Sequence, residues 1–323
     1  MSSTDTAPAP TPQKTSTVRR AGDTVFQVLS TTSGVLILAI LAAVFFFLLM
    51  RGFPSLVSPV QEVSDNYRAN AGGFWPFVMP LVFGTVWASL LAMMLALPVG
   101  IAVALFISHF SSRRLAGPLG FVVDMLAAVP SVVFGLWGIL VFAPLAGPLY
   151  RGLSENMGWF PLFAGEASPT GRVIASASLI LAVMILPIIT SVSREVFLKT
   201  PPLHEEAALA LGATRWEMVR MAVLPFGRSG IVSASMLGLG RALGETMAVV
   251  MVLSVGSSYS FRILEAGRHS TIAANIALQF PEATGINRSA LIATGLALFA
   301  ITLVVNSVAR WIVARRAEFS GAN

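Results

Sequence analysis

The sequence predicts an all-α polytopic membrane protein with six crossing helices, on three observations. Apolar residues make up 55% of the 323 positions and charged residues only 11%, with a mean hydropathy of +0.80. A soluble domain carries about twice that charged fraction. Runs without charge span Thr24–Met50, Ala69–Ser108, Met125–Tyr150, Val173–Ser193 and Ser289–Ala309, and a sixth, Ser229–Phe261, is interrupted only by Arg241 and Glu245. Each reaches the ~20 residues that a helix needs to cross a bilayer. With an inside N-terminus and six crossings, thirteen Lys and Arg fall on the cytoplasmic side and seven outside, with Arg241 in the membrane. That bias follows the positive-inside rule, so the net charge of +6 records topology and gives no reason to expect a nucleic-acid partner.

Taken in order, residues 1–23 read as a disordered cytoplasmic tail, with Pro8, Pro10 and Pro12 among Ser, Thr and Ala. Residues 24–318 form the six-helix membrane domain, and 319–323 a short C-terminal tail. The first apolar run is too long for a signal-peptide core and leads into Arg51-Gly52-Phe53-Pro54, so an uncleaved helix is expected near 27–50. The second, at 77–108, is long enough for two short crossings. Charge parity selects one, because a seventh crossing would move Arg113-Arg114 and the segment 194–228 outside; Pro98 is expected to kink it. The remaining crossings are expected at 117–145, 172–193, 228–254 and 288–313, with an irregular external loop from Gly147-Pro148 to Gly171.

Absences narrow the chemistry. There is no cysteine, so disulfides and thiolate metal sites are excluded. His109, His204 and His269 are scattered over connecting segments on both sides of the membrane, so neither a metal site nor a catalytic cluster is expected. The two lysines, Lys14 and Lys199, follow Gln13 and Leu198, so no Gly-Lys-Ser/Thr phosphate loop exists. The chain is therefore not expected to be an enzyme or to hold a cofactor.

Residues 194–228 form the one sizeable cytoplasmic structure. Thr200-Pro201-Pro202 offers an N-cap followed by first-turn prolines, Leu203–Leu211 is rich in helix formers, and Gly212 suits a C′ position. Thr214-Arg215-Trp216-Glu217 matches a capping box, and Pro225 is expected to close the second helix ahead of the fifth crossing. The order Glu206, Ala207, Ala208, Gly212, Leu224, Pro225 resembles the cytoplasmic EAA loop of binding-protein-dependent ABC import permeases, with Ala222 where the family often has Ile. The resemblance implies the type I importer permease fold. It also implies a loop that docks in a groove on a separate ATPase, with small alanines permitting close approach and Glu206 supplying an acceptor.

Arg241 lies twelve residues past Ser229, or about 18 Å along a helix and near the middle of a ~30 Å apolar core. Glu245 follows one turn on, on the same face. A charge at that depth costs at least ~2.5–3.5 kcal/mol, so both should face a pathway or each other. A closed Arg–Glu pair is one reading. The other is a guanidinium lent to a passing oxyanion, whose bidentate match favours Arg over Lys. Asp124, nearer the cytoplasmic end of its helix, is expected to partner a cytoplasmic-side Arg.

Three further stretches are similar to phosphate-specific (Pst) ABC permeases. They are Gly240-Arg241-Ala242-Leu243-Gly244-Glu245-Thr246, Val129-Pro130-Ser131-Val132-Val133-Phe134-Gly135 and Thr271-Ile272-Ala273-Ala274-Asn275 with Gln279 and Glu282. The polar tail and Arg20-Ala21-Gly22-Asp23 resemble the PstC-type subunit. The resemblance implies that Arg241 and Glu245 are the charged pair of phosphate passage, with Ser131 contributing a hydroxyl or free backbone groups at that depth. Asn275, Gln279 and Glu282 are expected to serve docking or packing. The implied partners are a second, PstA-type permease, a PstB-type cytosolic ATPase dimer that uses the ATP, a PstS-type extracytoplasmic phosphate-binding protein and membrane lipid. The implied location is the cytoplasmic membrane, with both termini inside. A permease for another oxyanion such as sulfate, and a phosphate-sensing scaffold without transport, are the rival readings.

Overall fold

The computed structural model describes residues 21–58 and 72–317, and every regular element among them is helical. The expected tails fall largely outside the described residues, although Ala21, Gly22 and Asp23 already form the first turn of a helix. By its internal contacts the chain divides into Met1–Phe47 and Leu48–Asn323. The described part of the first unit is the long N-terminal stretch of α1 (Ala21–Val57), whose Leu36, Leu38 and Phe46 are exposed, as side chains meant for lipid would be.

The second unit begins with the C-terminal end of α1 and holds the remaining helices. α2 (Phe74–Leu105) runs unbroken through Pro80 and Pro98 into a π turn, Phe106–Phe110. α3 (Arg113–Ala127) is followed by α4 (Ser131–Trp137), a π turn and α5 (Ala143–Met157). α6 is Ile174–Phe197, α7 Pro202–Ala210 and α8 Arg215–Met218. α9 (Leu224–Gly244), α10 (Met247–Val252), α11 (Ile272–Gln279) and α12 (Gly285–Ala317) complete the chain. Among the described residues six helices are long and apolar enough to cross a bilayer: Gly22–Val57, Phe74–Phe110, Ser131–Met157, Ile174–Phe197, Arg215–Gly244 and Gly285–Trp311.

The expected third crossing at 117–145 is corrected by the structure. The chain breaks at Ala128–Pro130, because a residue before proline is driven out of the helical region and Pro130 then caps α4 in extended geometry. The uninterrupted apolar helix there is Ser131–Met157, and α3 is a separate helix packed against the helix Ile174–Phe197. The fifth crossing is also corrected: 228–254 is not one helix, since α9 ends at Gly244 and Glu245 is extended. Pro225 does not close a helix either. A π turn at Val219–Val223 precedes it, with the N–H of Leu224 bonding the carbonyl of Val219. That widened turn accommodates a ring that has no N–H to give and crowds the carbonyl four residues back, so α8 runs continuously into α9.

The centre of the second unit is a seam of small residues. Ala88, Ala92 and Ala96 of α2 lie against Ala177, Leu181, Ile185 and Ile189 of α6, all buried, with Ala234 and Ala242 of α9 closing the cluster. A side chain at Gly100 would sit 2.9 Å from Ile189, and the hydroxyl of Thr190 donates to the Gly100 carbonyl at 3.3 Å. Such close approach replaces the missing hydrophobic drive between helices in lipid by dispersion contact.

Candidate functional site

Two helix interruptions meet inside the membrane domain. The α4 segment packs on α10 through Gly135, where a Cβ would lie 3.0 Å from the Ala248 Cα and 2.8 Å from the Met251 sulfur. Ser131 stands one turn before Gly135, and Glu245 three residues before Ala248. The third and fifth spans are parallel, so the two breaks lie within about 6 Å of one level. Discontinuous helices of this kind leave backbone groups free at membrane depth. The Ser131 hydroxyl is half-buried and makes no hydrogen bond among the described residues.

Arg241 and Glu245 do not pair. Arg241 lies in the last turn of α9, whereas Glu245 lies past that turn with φ −69° and ψ 127°, so the helical path between the two is broken. The Glu245 carboxylate, 8% exposed, accepts the N–H of Ala248 at 3.1 Å and so caps the first turn of α10. Among the described residues no acid lies within ion-pair distance of Arg241, and its buried Nε has no acceptor. Of the two readings, the closed pair gives way to a capping carboxylate and an uncommitted guanidinium. Asp124 does find an arginine partner: Arg194 lies across Gly120 with Nη2 3.9 Å from the carboxylate, and Ser191 donates to it at 2.6 Å.

The EAA-like segment folds as two helices around a tight turn. Gly212 at φ +82° permits the reversal after α7. The N–H of Ala213 bonds the Ala208 carbonyl and the N–H of Gly212 bonds that of Leu209, which is a Schellman closure. Thr214 and Glu217 form the reciprocal capping box of α8. The expected Thr200 cap is displaced by one residue, because Pro201 occupies the N-cap and leaves the buried Thr200 hydroxyl without a partner. Of the motif residues, Ala208 is buried against Ala104, Leu105, Phe197, Met218, Val219 and Val223, with Leu224 half-buried beside it. Glu206, Ala207, Gly212 and Pro225 are exposed. Ala208 thus anchors the segment to its own chain, and of the two alanines only Ala207 is exposed. Leu203, Leu211 and Trp216 add exposed apolar surface around them.

One contact of this segment had no sequence signal. The His109 Nε2 in the π turn after α2 lies 3.3 Å from Glu205 Oε1, and Ser108 holds the other ring nitrogen at 2.7 Å. At the opposite end, the loop 253–271 is laced to its neighbours by backbone bonds, including Ser254 to Arg172, Ile263 to Leu162 and Ser168 to Leu264. The N–H of Ile272 donates to Thr85 Oγ1 at 2.9 Å, and Ser270 presses its carbonyl onto Gly84. Asn275 is buried in that packing, while Gln279 and Glu282 are exposed.

A family model described as "Binding-protein-dependent transport system inner membrane component" matches residues 96–318. The chain is 44% identical to phosphate transport system permease protein PstC 2 of Mycobacterium bovis, over 91% of this chain and 92% of that one. It is 35% identical to PstC of Mesorhizobium japonicum over 98% of both. A crystal structure of a bacterial ABC transporter involved in alginate import covers 90% of this chain and 98% of its own, with a TM-score of 0.53 at 18% identity, a likeness of fold. The chain belongs to the binding-protein-dependent inner-membrane permeases, and within them to the PstC phosphate transport permease proteins.

Proposed function

We propose that this chain is one permease subunit of an ATP-driven importer of inorganic phosphate, forming half of the translocation pathway. The observation that carries the reading is the partnerless guanidinium of Arg241 beside a helix break at membrane depth. A half-buried cation whose Nε is enclosed without an acceptor is costly unless an anion visits it, and the printed names of the chain's relatives make that anion phosphate. Arg241 receives the oxyanion, Glu245 holds the break open by capping α10, and Ser131 offers a hydroxyl at the same level.

The ATP is used by a dimeric cytosolic ATPase that seats on the exposed Glu206, Ala207 and Gly212 surface, while Ala208 and Leu224 carry its movement into the bundle. A second permease chain supplies the other half of the path, and an extracytoplasmic binding protein delivers phosphate. Both termini face the cytoplasm, and residues 1–23, the last three of which begin α1, are dispensable for transport.

The test is ATP-dependent uptake of labelled phosphate by the whole complex, with excess sulfate as competitor. Uptake that resists sulfate and disappears in Arg241→Gln at normal membrane level supports the reading. Competition by sulfate assigns the permease to oxyanions more broadly. Undiminished uptake in Arg241→Gln removes Arg241 from the path, and a wild-type complex that never moves phosphate overturns the substrate.

A further inference from the structure

The loop 253–271 has little regular structure, yet it is one of the most tightly tied segments of the molecule. Gly256 donates to the His269 carbonyl at 3.0 Å and Ser258 to that of Arg268 at 2.9 Å, so its two limbs pair. Phe261 stands edge-on to Phe83 at 5.2 Å and to Trp87 at 5.3 Å, and Tyr259 meets Phe83 at 6.0 Å. These footings fix the inner edges of Tyr259 and Phe261 while both rings remain largely exposed. The result is a shelf at the end of the bundle opposite α7, bordering an open cleft of about 500 Å³ whose lining includes Ser258, Tyr259, Phe261, Arg262, Glu265 and Arg268.

The charges in the cleft are arranged in a fork. Glu265, with its side chain only 11% exposed, receives Arg262 Nη1 at 3.0 Å on one oxygen and Arg268 Nε at 2.7 Å on the other. Each arginine side chain stays 47% exposed and keeps further N–H groups for an outside acceptor. Two guanidiniums against one carboxylate leave one excess positive charge, held in place by the acid beneath. Pre-positioned arginines flanked by rigid exposed aromatics have the make-up of an interface hot spot, since little side-chain freedom is lost on binding.

We propose that this cleft is the docking site for the extracytoplasmic binding protein, which inserts an acidic side chain between Arg262 and Arg268 with Tyr259 and Phe261 packing around it. The inference rests on the importer reading above and gives its delivery step a location. A cleft of this size suits a cluster of side chains; pockets of 300–1,000 Å³ hold molecules far larger than one inorganic phosphate. Glu265 already fills the centre of the fork, which disfavours a small multivalent anion there and leaves the outer N–H groups for a carboxylate arriving from above. Because these charges are exposed, the attraction acts mainly on the rate and salt dependence of association.

The test uses the complete complex in nanodiscs and the phosphate-binding protein purified from the same organism. Arg262→Glu and Arg268→Glu are expected to weaken its binding at least tenfold and to flatten the salt dependence, with Arg262→Lys staying within about threefold. The chain has no cysteine, so Ser257→Cys, at an exposed position beside the cleft, gives a single attachment point that leaves both arginines intact. A cross-linker placed there is expected to capture the binding protein. Affinity within twofold of wild type in both reversals overturns the assignment, as does the absence of a cross-link in a complex that binds. Inorganic phosphate alone is expected to leave a fluorophore at Ser257→Cys unchanged; a response would give the cleft to the free anion instead. A wild-type complex that neither binds the protein nor takes up phosphate overturns the importer reading along with this one.

Discussion

His109 and Glu205 lie 96 residues apart in the chain and meet at 3.3 Å, joining the inner end of α2 to the first residues of α7. The imidazole is nearly buried and the carboxylate a quarter exposed. Its ring orientation is fixed by Ser108. Ala208 anchors α7 through apolar contact, and this polar link gives the same segment a directional hold on α2.

Breaking that link should loosen coupling while leaving the fold intact. In Glu205→Ala, phosphate moved per ATP hydrolysed is expected to fall several-fold, whereas Glu205→Gln, which keeps an acceptor for the ring N–H, should retain most of it. Paired uptake and ATPase measurements in proteoliposomes check this. Equal coupling ratios in both variants would make the contact incidental.

Arg241 and Glu245 should respond differently to loss of charge. Arg241→Gln is expected to lower uptake more than tenfold and Arg241→Lys less, since a lysine brings charge without the bidentate fork. Glu245→Gln keeps an oxygen for the Ala248 N–H and should stay within a few-fold of wild type. Glu245→Ala, which orphans that donor, should destabilise the protein by about 0.5–2 kcal/mol. Uptake rates alongside thermal melts of the purified complex separate the two roles; an equal loss in Arg241→Gln and Glu245→Gln would restore the idea of a functional pair.

A side chain at Gly84 would overlap the Ser270 carbonyl. Gly84→Ala should therefore push the outer loop off α2 and disturb the neighbouring Thr85–Ile272 bond, at about 1–3 kcal/mol for the overpacking. Protease sensitivity confined to residues 253–271 is the expected readout, and a loop as resistant as wild type would show that the backbone gives way elsewhere.

His269 makes the same loop sensitive to acid. Burial holds its pKa below the ordinary 6.5, only partly opposed by its bond to the Ser260 carbonyl and by Glu265. The bond through Nε2 leaves Nδ1 buried and unpartnered, so protonation would create a buried donor without an acceptor. The unfolded loop thus takes the proton more readily than the folded one. The stability from His269 is complete above about pH 6.5 and is lost as pH falls from there through the lowered folded value. Hydrogen exchange in 253–271 should accelerate over that range in the wild type and much less in His269→Gln; identical profiles would assign the pH response to other groups.

Much of this was legible in the chain because it depends on local chemistry. Length and apolarity mark the six helices, Gly212 and the Thr214–Glu217 box mark the turn and second start of the cytoplasmic segment, and Arg241 stands out as a charge where charge is costly. The breaks were less legible. Pro130 and the Glu245-Thr246 step sit inside uncharged runs, where apolarity persists whether or not the helix does. The fate of Arg241 depended on that break, since four-residue spacing brings two side chains together only along continuous helix.

The sequence by itself determined the membrane class, the order of elements, the family motifs and which residues carry charge, because hydropathy and helix punctuation act over a few neighbouring positions. Only the tertiary structure decided that Glu245 caps α10 instead of pairing with Arg241, that Ala208 faces inward, that Glu205 reaches His109, and that Arg262 and Arg268 share Glu265 at the rim of a cleft. Each of those depends on where separate pieces of backbone are brought by packing, and burial and hydrogen bonding are settled only once the partners have arrived.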